Sequence, residues 1–213
     1  MRLAEAQPGK ATLILGWCGA LLLFAWLAQE VRRGGTQAWD DRIRMLVHAH
    51  ATPVLTAVMR GFSLIGEPAY LIVLGALVVV WLLRTGRWRT AVLLFITVLG
   101  SEVLDQAIKA SFRRPRPVPF FGLVEPMGYS FPSGHAMVSC TFFGILAAIA
   151  AARTASRVGR VLSYAAAAAL VAAIGLSRIY LGVHYPSDVL AGYAAAVAWV
   201  FIVAWARRLP PLP

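Results

Sequence analysis

The segment from Ser177 to Asp188 reads SRIYLGVHYPSD and joins two strongly apolar runs of the chain. It puts an arginine, a histidine and an aspartate where one hydrophobic segment ends and the next begins. Ionisable side chains at a membrane boundary are costly, so they usually serve a function. Two more polar segments lie upstream at the ends of hydrophobic runs, 109–117 (KASFRRPRP) and 132–135 (PSGH). We expect the three polar segments to meet in the folded chain.

The composition around these segments is that of a membrane protein. Of 213 residues, 60% are hydrophobic and only 14% are charged, and the mean hydropathy is +0.72. Such values lie far outside the range of soluble domains and indicate a chain that crosses a membrane several times. The formal net charge of +11 comes mostly from arginines between apolar runs, without a basic block or a nucleic-acid-binding motif. Membrane topology and anionic lipid therefore explain the charge better than nucleic acid does.

Six apolar segments predict membrane-spanning helices, since roughly 20 residues of helix cross the hydrocarbon core. They run at about 11–30, 68–83, 88–108, 134–152, 161–176 and 187–206. The segment 36–66 mixes apolar and charged residues at helical spacing and is too charged to span, which predicts an amphipathic helix in the membrane interface. The predicted fold is all-α and polytopic, a single domain over residues 1–213 with six transmembrane helices and an interfacial helix between the first and the second.

The cysteines and the first two histidines do not indicate a metal site. Cys18 and Cys140 lie within apolar segments, where a thiol behaves as a small hydrophobic group, so we predict neither a disulfide nor a metal ligand. His48 and His50 have no third or fourth ligand nearby in the sequence, and we interpret them as exposed interfacial histidines.

The three polar segments carry cations and N–H donors that suit a phosphate. Arg116 and Arg178 can each offer planar, bidentate donors to phosphate oxygens, while Lys109 adds a point charge. Ser133 and Gly134 stand at the start of the fourth predicted span, where free backbone N–H groups and the helix dipole favour an anion.

Lys109 also has a simpler explanation, that of a snorkelling lysine with an acidic neighbour. Glu102, Asp105 and Lys109 share one face of the predicted third span, so that explanation would suffice for the lysine alone. The chain, however, has eighteen arginines and only two lysines. A lysine at this position is therefore more than a matter of basic-residue usage.

Two histidines and an aspartate suggest a reaction at the phosphate. His184 and Asp188 are four residues apart, so the carboxylate can accept a hydrogen bond from one ring nitrogen while the other nitrogen faces phosphorus. His135 is then available to protonate the departing oxygen. Three cations can neutralise a transferring phosphoryl group, and the sequence has no clustered carboxylates that could hold Mg²⁺. We therefore predict an enzyme that needs neither a metal ion nor another cofactor.

Together the three segments resemble the signature of the type 2 phosphatidic acid phosphatase superfamily. That signature is lysine, six residues, Arg-Pro; then Pro-Ser-Gly-His; then Ser-Arg, five residues, histidine, three residues, aspartate, and the chain matches every position. The resemblance implies a six-helix membrane phosphatase with His184 as the nucleophile that forms a phosphohistidine, Asp188 as its partner and His135 as the general acid. It also assigns phosphate binding to Lys109, Arg116, Ser133, Gly134 and Arg178.

The expected activity is removal of the terminal phosphate from a membrane lipid of the phosphatidic acid, phosphatidylglycerophosphate or undecaprenyl diphosphate type. One alternative is a phosphotransferase on the same scaffold, in which a lipid or sugar hydroxyl replaces water. A second is a non-catalytic protein that binds or transports lipid, although such a protein needs neither a nucleophile nor an acid. The expected partners are the lipid substrate and the bilayer, without nucleic acid, and the sequence carries no signal for an oligomeric state.

Six spans put both termini on one side of the membrane and the polar segments on the other. The lysines and arginines divide equally between the two sides. The ten of the twenty on the side of the termini are Arg2, Lys10, Arg84, Arg87, Arg89, Arg153, Arg157, Arg160, Arg207 and Arg208. Setting aside the site cations and weighting short loops near span ends favours cytoplasmic termini. We expect an integral protein of a bacterial inner membrane, with its active site on the extracytoplasmic side.

Overall fold

A computed structural model describes residues 10–124 and 126–206 of the chain. Within these residues the secondary structure is entirely helical, which confirms the prediction of an all-α protein. The helices are α1 (Lys10–Arg33), α2 (Gln37–Ala49), α3 (Pro53–Ile65), α4 (Pro68–Arg84), α5 (Trp88–Phe112), α6 (Gly134–Ala151), α7 (Arg157–Tyr180) and α8 (Pro186–Ala206).

The helices provide up to six membrane crossings, in agreement with the predicted number. Helices α1, α5, α6, α7 and α8 are each long and apolar enough to cross a bilayer. Helices α3 and α4 meet the same criterion only as a pair, and they are bent by 50° at the break between them. The predicted second span corresponds to α4, so the structure adds α3 as the first half of a bent crossing.

The segment 36–66 forms two helices where the sequence pattern predicted one. Pro53 starts the second of them, because proline lacks an N–H group and disfavours helical backbone in the residue before it. Thr52 caps the new helix by accepting a hydrogen bond of 3.1 Å from the N–H of Leu55. The predicted amphipathic helix is thus α2, which carries most of the charges, whereas α3 is apolar and continues toward α4.

Helix α6 is the centre of the bundle. It packs against α4, α5, α7 and α8, and it is the most buried of the five single-helix crossings. Close packing needs small residues, and Gly192 of α8 is one of them. A Cβ atom at Gly192 would lie 2.7 Å from the carbonyl oxygen of Ser133, just before the first turn of α6. Helix α1 packs on α8 and α3 packs on α7 at the outside of this group.

The connections between helices divide between two ends of the bundle. At one end the α4–α5 and α6–α7 turns lie close together, since the guanidinium of Arg153 is 4.7 Å from the ring centre of Trp81. At the other end, residues of the connection between α5 and α6 form hydrogen bonds with the segment 181–188. The Ser133 N–H donates to the Asp188 carbonyl and the Phe120 N–H donates to the Leu181 carbonyl, each at 3.0 Å. All three polar segments therefore meet at this second end.

Candidate active site

A cavity of about 500 Å³ lies where the three polar segments meet. Six of the eight predicted site residues line it, namely Lys109, Arg116, Gly134, His135, Arg178 and His184. The other two, Ser133 and Asp188, are fully buried. The fold thus brings together all eight residues from three separate segments of the chain.

His184 lies between α7 and α8 and is only 2% exposed. Its Nδ1 is 3.4 Å from Asp188 Oδ2, and its Nε2 is 3.1 Å from Arg116 Nη1. Because a guanidinium can only donate, Nε2 is the acceptor of this contact and the ring proton belongs on Nδ1, facing the carboxylate. Burial lowers the pKa of His184 to about 3. The ring is therefore neutral at neutral pH, with a lone pair on Nε2, as a nitrogen nucleophile requires.

Asp188 receives donors on both carboxylate oxygens. Oδ1 accepts from Arg114 Nη1 at 2.7 Å. Oδ2 accepts from the hydroxyl of Ser130 and from the backbone N–H of Tyr185, the latter at 2.9 Å. Charge-assisted hydrogen bonds of this kind fix the direction of a carboxylate. Asp188 is held in place by three other residues and turned toward His184.

Arg114 is a residue that the sequence analysis did not single out. Besides Asp188, its guanidinium donates to Asp40 Oδ2 at 2.8 Å and lies 4.0 Å from the ring centre of Tyr185. Although burial opposes the charge, the carboxylates of Asp188 and Asp40 raise the pKa of Arg114 above its ordinary value. Asp40 in turn accepts from the backbone N–H and the hydroxyl of Ser187 at 2.8 and 2.6 Å. The interfacial helix α2 is thereby connected to the carboxylate that faces the predicted nucleophile.

Lys109 is buried and forms an ion pair with Asp105, one turn earlier on α5. The acidic neighbour of the simpler explanation is thus present, and the lysine side chain also lines the cavity. Gly134 permits this arrangement, since a Cβ atom there would lie 2.8 Å from Asp105 Oδ2 and 3.0 Å from Lys109 Nζ. The glycine therefore lets the start of α6 approach the charged pair closely.

Arg178 lies at the end of α7 and is also buried. Its Nη1 donates to the hydroxyl of Ser63 on α3. Its Nε is buried and makes no hydrogen bond within the part of the chain that the structure describes. Leaving a buried donor unpaired costs about 1–3 kcal/mol. Arg178 thus keeps donor capacity at the edge of the cavity, which suits an anion.

The start of α6 contributes backbone donors to the same cavity. Ser133 is the N-cap residue, and its hydroxyl accepts from the N–H of Ala136 at 3.5 Å. The N–H groups in the first turn of a helix have no partner within that helix. Gly134 and His135 both line the cavity. Their position allows the helix N-terminus to act on an anion bound there.

His135 contacts a carboxylate outside the three polar segments. Its Nε2 is 3.1 Å from Oε2 of Glu67, which stands in the break between α3 and α4. Glu67, Glu102 and Asp105 are the carboxylates that line the cavity within the described residues. In that part of the chain, no group of three or more His, Cys, Asp or Glu side chains is arranged to hold a metal ion.

The remaining histidine and cysteine predictions have mixed outcomes. His50 is exposed as expected, but the prediction of an exposed His48 is wrong. The His48 ring is half-buried and stacks on Phe120, with 3.9 Å between ring centres, because the loop 113–133 folds back over α2. Cys18 and Cys140 are free, partly buried thiols.

The chain matches a known protein family over more than half of its length. Residues 90–210 match the family described as the PAP2 superfamily. This chain belongs to the PAP2 superfamily. The predicted family is thus confirmed, and the match covers all three polar segments of the PAP2 protein.

Two relatives are similar to this PAP2 protein over most of their length. Phosphatidylglycerophosphatase B of Bacillus subtilis is 26% identical over 183 residues, which are 85% of this chain and 90% of the relative. An undecaprenyl-diphosphatase of Sulfolobus acidocaldarius is 28% identical over 188 residues, which are 84% of this chain and 85% of the relative. Both relatives are phosphatases by name, in line with the predicted class of enzyme.

The fold is also similar to that of a solved structure. The crystal structure of a transmembrane PAP2 type phosphatidylglycerolphosphate phosphatase from Bacillus subtilis aligns with a TM-score of 0.82 at 24% sequence identity. The alignment covers 92% of this chain and 98% of that protein. The membrane-embedded helical fold of this PAP2 protein is therefore one already observed.

Asp40 and Asp41 offer a direct test of the connection between α2 and the site. We expect Asp40→Asn to lower the free energy of unfolding by about 3 kcal/mol, since one partner of a buried ion pair loses its charge. The same substitution should lower kcat, because Ser187 and Arg114 hold the region of Asp188. Asp41→Asn is the matched control, since the Asp41 side chain is 49% exposed and its bonds among the described residues are to Gln37 and Arg44. Thermal unfolding in detergent and phosphate release measure both effects, and equal behaviour of the two variants would contradict the expected role of Asp40.

Proposed function

We propose that this PAP2 protein is a lipid phosphate phosphatase that removes a terminal phosphate from a membrane lipid through a phosphohistidine at His184. The main support for the proposal is the tautomer of the His184 ring and the contacts of its two nitrogens. Nδ1 faces the carboxylate of Asp188, and Nε2 accepts from Arg116 at the wall of the cavity. A neutral imidazole with a fixed tautomer and a lone pair at a cation-lined cavity suits attack on phosphorus better than it suits lipid binding alone.

In the first step Nε2 of His184 attacks phosphorus, and the bond between phosphorus and the lipid oxygen breaks. The departing oxygen takes a proton from His135 and leaves as a lipid alcohol or, for a diphosphate, as a lipid monophosphate. Asp188 accepts the hydrogen bond of Nδ1–H and stabilises the positive charge that develops on the ring. Lys109, Arg116 and Arg178 stabilise the charge on the transferring phosphoryl group.

In the second step water attacks the phosphohistidine. His135, now neutral, takes a proton from the water as the bond between nitrogen and phosphorus breaks. Inorganic phosphate leaves, and the neutral ring of His184 is restored. The donors at the start of α6 serve both steps, because they contact the phosphoryl oxygens rather than the group that leaves.

The proposed substrates are lipids of the phosphatidic acid, phosphatidylglycerophosphate or undecaprenyl diphosphate type. The relatives named for phosphatidylglycerophosphate and undecaprenyl diphosphate support this class. A further support is the position of the cavity at one end of the apolar helices, where a lipid can keep its acyl or prenyl chains in the bilayer while its phosphate enters.

The test of this function is phosphate release by the purified protein in detergent from a panel of lipid phosphates and diphosphates. We expect release from at least one of them, with no loss in EDTA, because side chains supply the cations. Activity that is lost in EDTA and restored by Mg²⁺ would contradict the metal-independent mechanism. A water-soluble phosphate ester is the control, since acidic lipids bind Mg²⁺ themselves. Transfer of the phosphate to an added lipid or sugar alcohol would instead identify a phosphotransferase.

The roles of the two histidines can be distinguished by how the activity of each variant depends on the leaving group. His184→Ala should abolish turnover of every substrate, because the covalent intermediate cannot form. His135→Ala should lose about 10²- to 10⁴-fold on a glycerolipid, whose alkoxide leaves poorly, and much less on p-nitrophenyl phosphate. Steady-state kinetics on both substrates measure the difference. Equal losses of activity for His135→Ala on the two substrates would contradict its role as the general acid. Measurable turnover by His184→Ala would contradict the role of His184 as the nucleophile.

We further propose that the protein lies in a bacterial inner membrane with its active site on the extracytoplasmic side. A Val124→Cys variant in a background without Cys18 and Cys140 should react with an impermeant thiol reagent outside intact cells, since Val124 is 90% exposed. Thr85→Cys, in the turn at the opposite end of the bundle, should not react. Labelling of Thr85→Cys alone would reverse the orientation.

A further inference from the structure

The break between α3 and α4 presents a carboxylate to the cavity from outside the three polar segments. Gly66 and Glu67 form this break, and Glu67 is the N-cap residue of α4. Gly66 packs tightly on α7, because a Cβ atom there would lie 2.2 Å from Cγ2 of Ile174. The break is therefore held against α7, and Ser63 in the last turn of α3 accepts a hydrogen bond from Arg178 of the same helix α7.

Glu67 meets His135 at the edge of the cavity. Glu67 Oε2 is 3.1 Å from His135 Nε2, and the side chains are 45% and 9% exposed, respectively. A buried imidazole thus has one of its two nitrogens close to the carboxylate of a half-exposed side chain. This resembles the contact between Asp188 and His184, although Glu67 comes from a different part of the chain.

We propose that Glu67 is a positioning residue for His135, which rests on the proposed function of His135 as the general acid. Glu67 accepts the Nε2–H bond and remains a carboxylate throughout the reaction. This leaves Nδ1–H to give its proton to the lipid oxygen as the phosphorus–oxygen bond breaks. In the second step, Nδ1 takes a proton back from the attacking water.

The charges around His135 explain why a carboxylate is needed beside its ring. Lys109 from α5 and Arg178 from α7 line the same cavity as His135, and because like charges repel, both cations disfavour a positively charged ring. Asp105 pairs with Lys109 and offsets part of that charge, whereas no carboxylate is paired with Arg178 in the ion pairs of the described residues, and the neutral His184 adds no compensating charge. The cations that a phosphate needs thus oppose the imidazolium that the leaving oxygen needs. Glu67 is the carboxylate in contact with the His135 ring, and it can stabilise the protonated form.

The test compares Glu67→Gln with the wild-type protein on two leaving groups. Glutamine keeps an acceptor oxygen of the same reach but removes the negative charge. We expect kcat to fall at least about tenfold on a lipid phosphate, because His135 would then supply only part of its rate enhancement as a general acid. We expect little change on p-nitrophenyl phosphate. In a His135→Ala background the same substitution should cause no further loss. Glu102→Gln is the matched control, since Glu102 lines the same cavity but accepts from Gln106 rather than from His135.

Three outcomes would overturn the inference. Equal losses on both leaving groups, or an additional loss in the His135→Ala background, would mean that Glu67 does not act through His135. Faster turnover of Glu67→Gln with tighter inhibition by inorganic phosphate would mean that the carboxylate competes with the substrate. If the proposed function is wrong, the wild-type protein will not hydrolyse any lipid phosphate. The inference about Glu67 is tested separately, by the ratio of the kcat losses on the two substrates.

Discussion

The buried ion pair between Arg114 and Asp188 is the interaction on which the arrangement of the site depends. Arg114 belongs to the loop before α6 and Asp188 to the first turn of α8, and Asp40 of α2 binds the same guanidinium. Two carboxylates and one guanidinium thus join an interfacial helix, a loop and a transmembrane helix. Removing a charged group from water is costly, so this network holds only when all its members are present. The orientation of Asp188 follows from contacts that no single segment contains, and Asp188 and Arg116 together set the tautomer of His184.

In the proposed mechanism the cavity has to satisfy two opposite electrostatic requirements. A phosphate needs nearby cations, and Lys109, Arg116 and Arg178 provide them. In that mechanism the cations suit a neutral nucleophile at His184, but they repel the protonated ring that a general acid needs at His135. The two histidines therefore need different surroundings. His184 is enclosed by protein, while His135 sits at the edge of the cavity beside a carboxylate that is open to solvent.

Hydropathy alone predicted the helices well, because in a bilayer the backbone must satisfy its own hydrogen bonds and an apolar run of sufficient length has few other options. The five single-helix crossings begin and end within a few residues of their predicted bounds. The pattern failed at 36–66, where charge and apolar residues mix. There the proline at position 53 was the signal for the break, and the 50° bend that follows depends on packing against α7.

The sequence by itself determined the helical membrane fold and eight candidate site residues, since apolar length and the spacing of cations and histidines are properties of the chain. Only the tertiary structure could reveal Arg114, Asp40 and Glu67 as neighbours of the site. Arg114 lies beside other arginines, Asp40 lies in a helix with several charges, and Glu67 lies in a turn that has no recognisable motif. Their partners are 68 to 147 residues away in the chain, as the Glu67–His135 and Asp40–Ser187 contacts show. Hydrogen bonds and ion pairs act over a few ångströms, so such contacts exist only once the helices are packed.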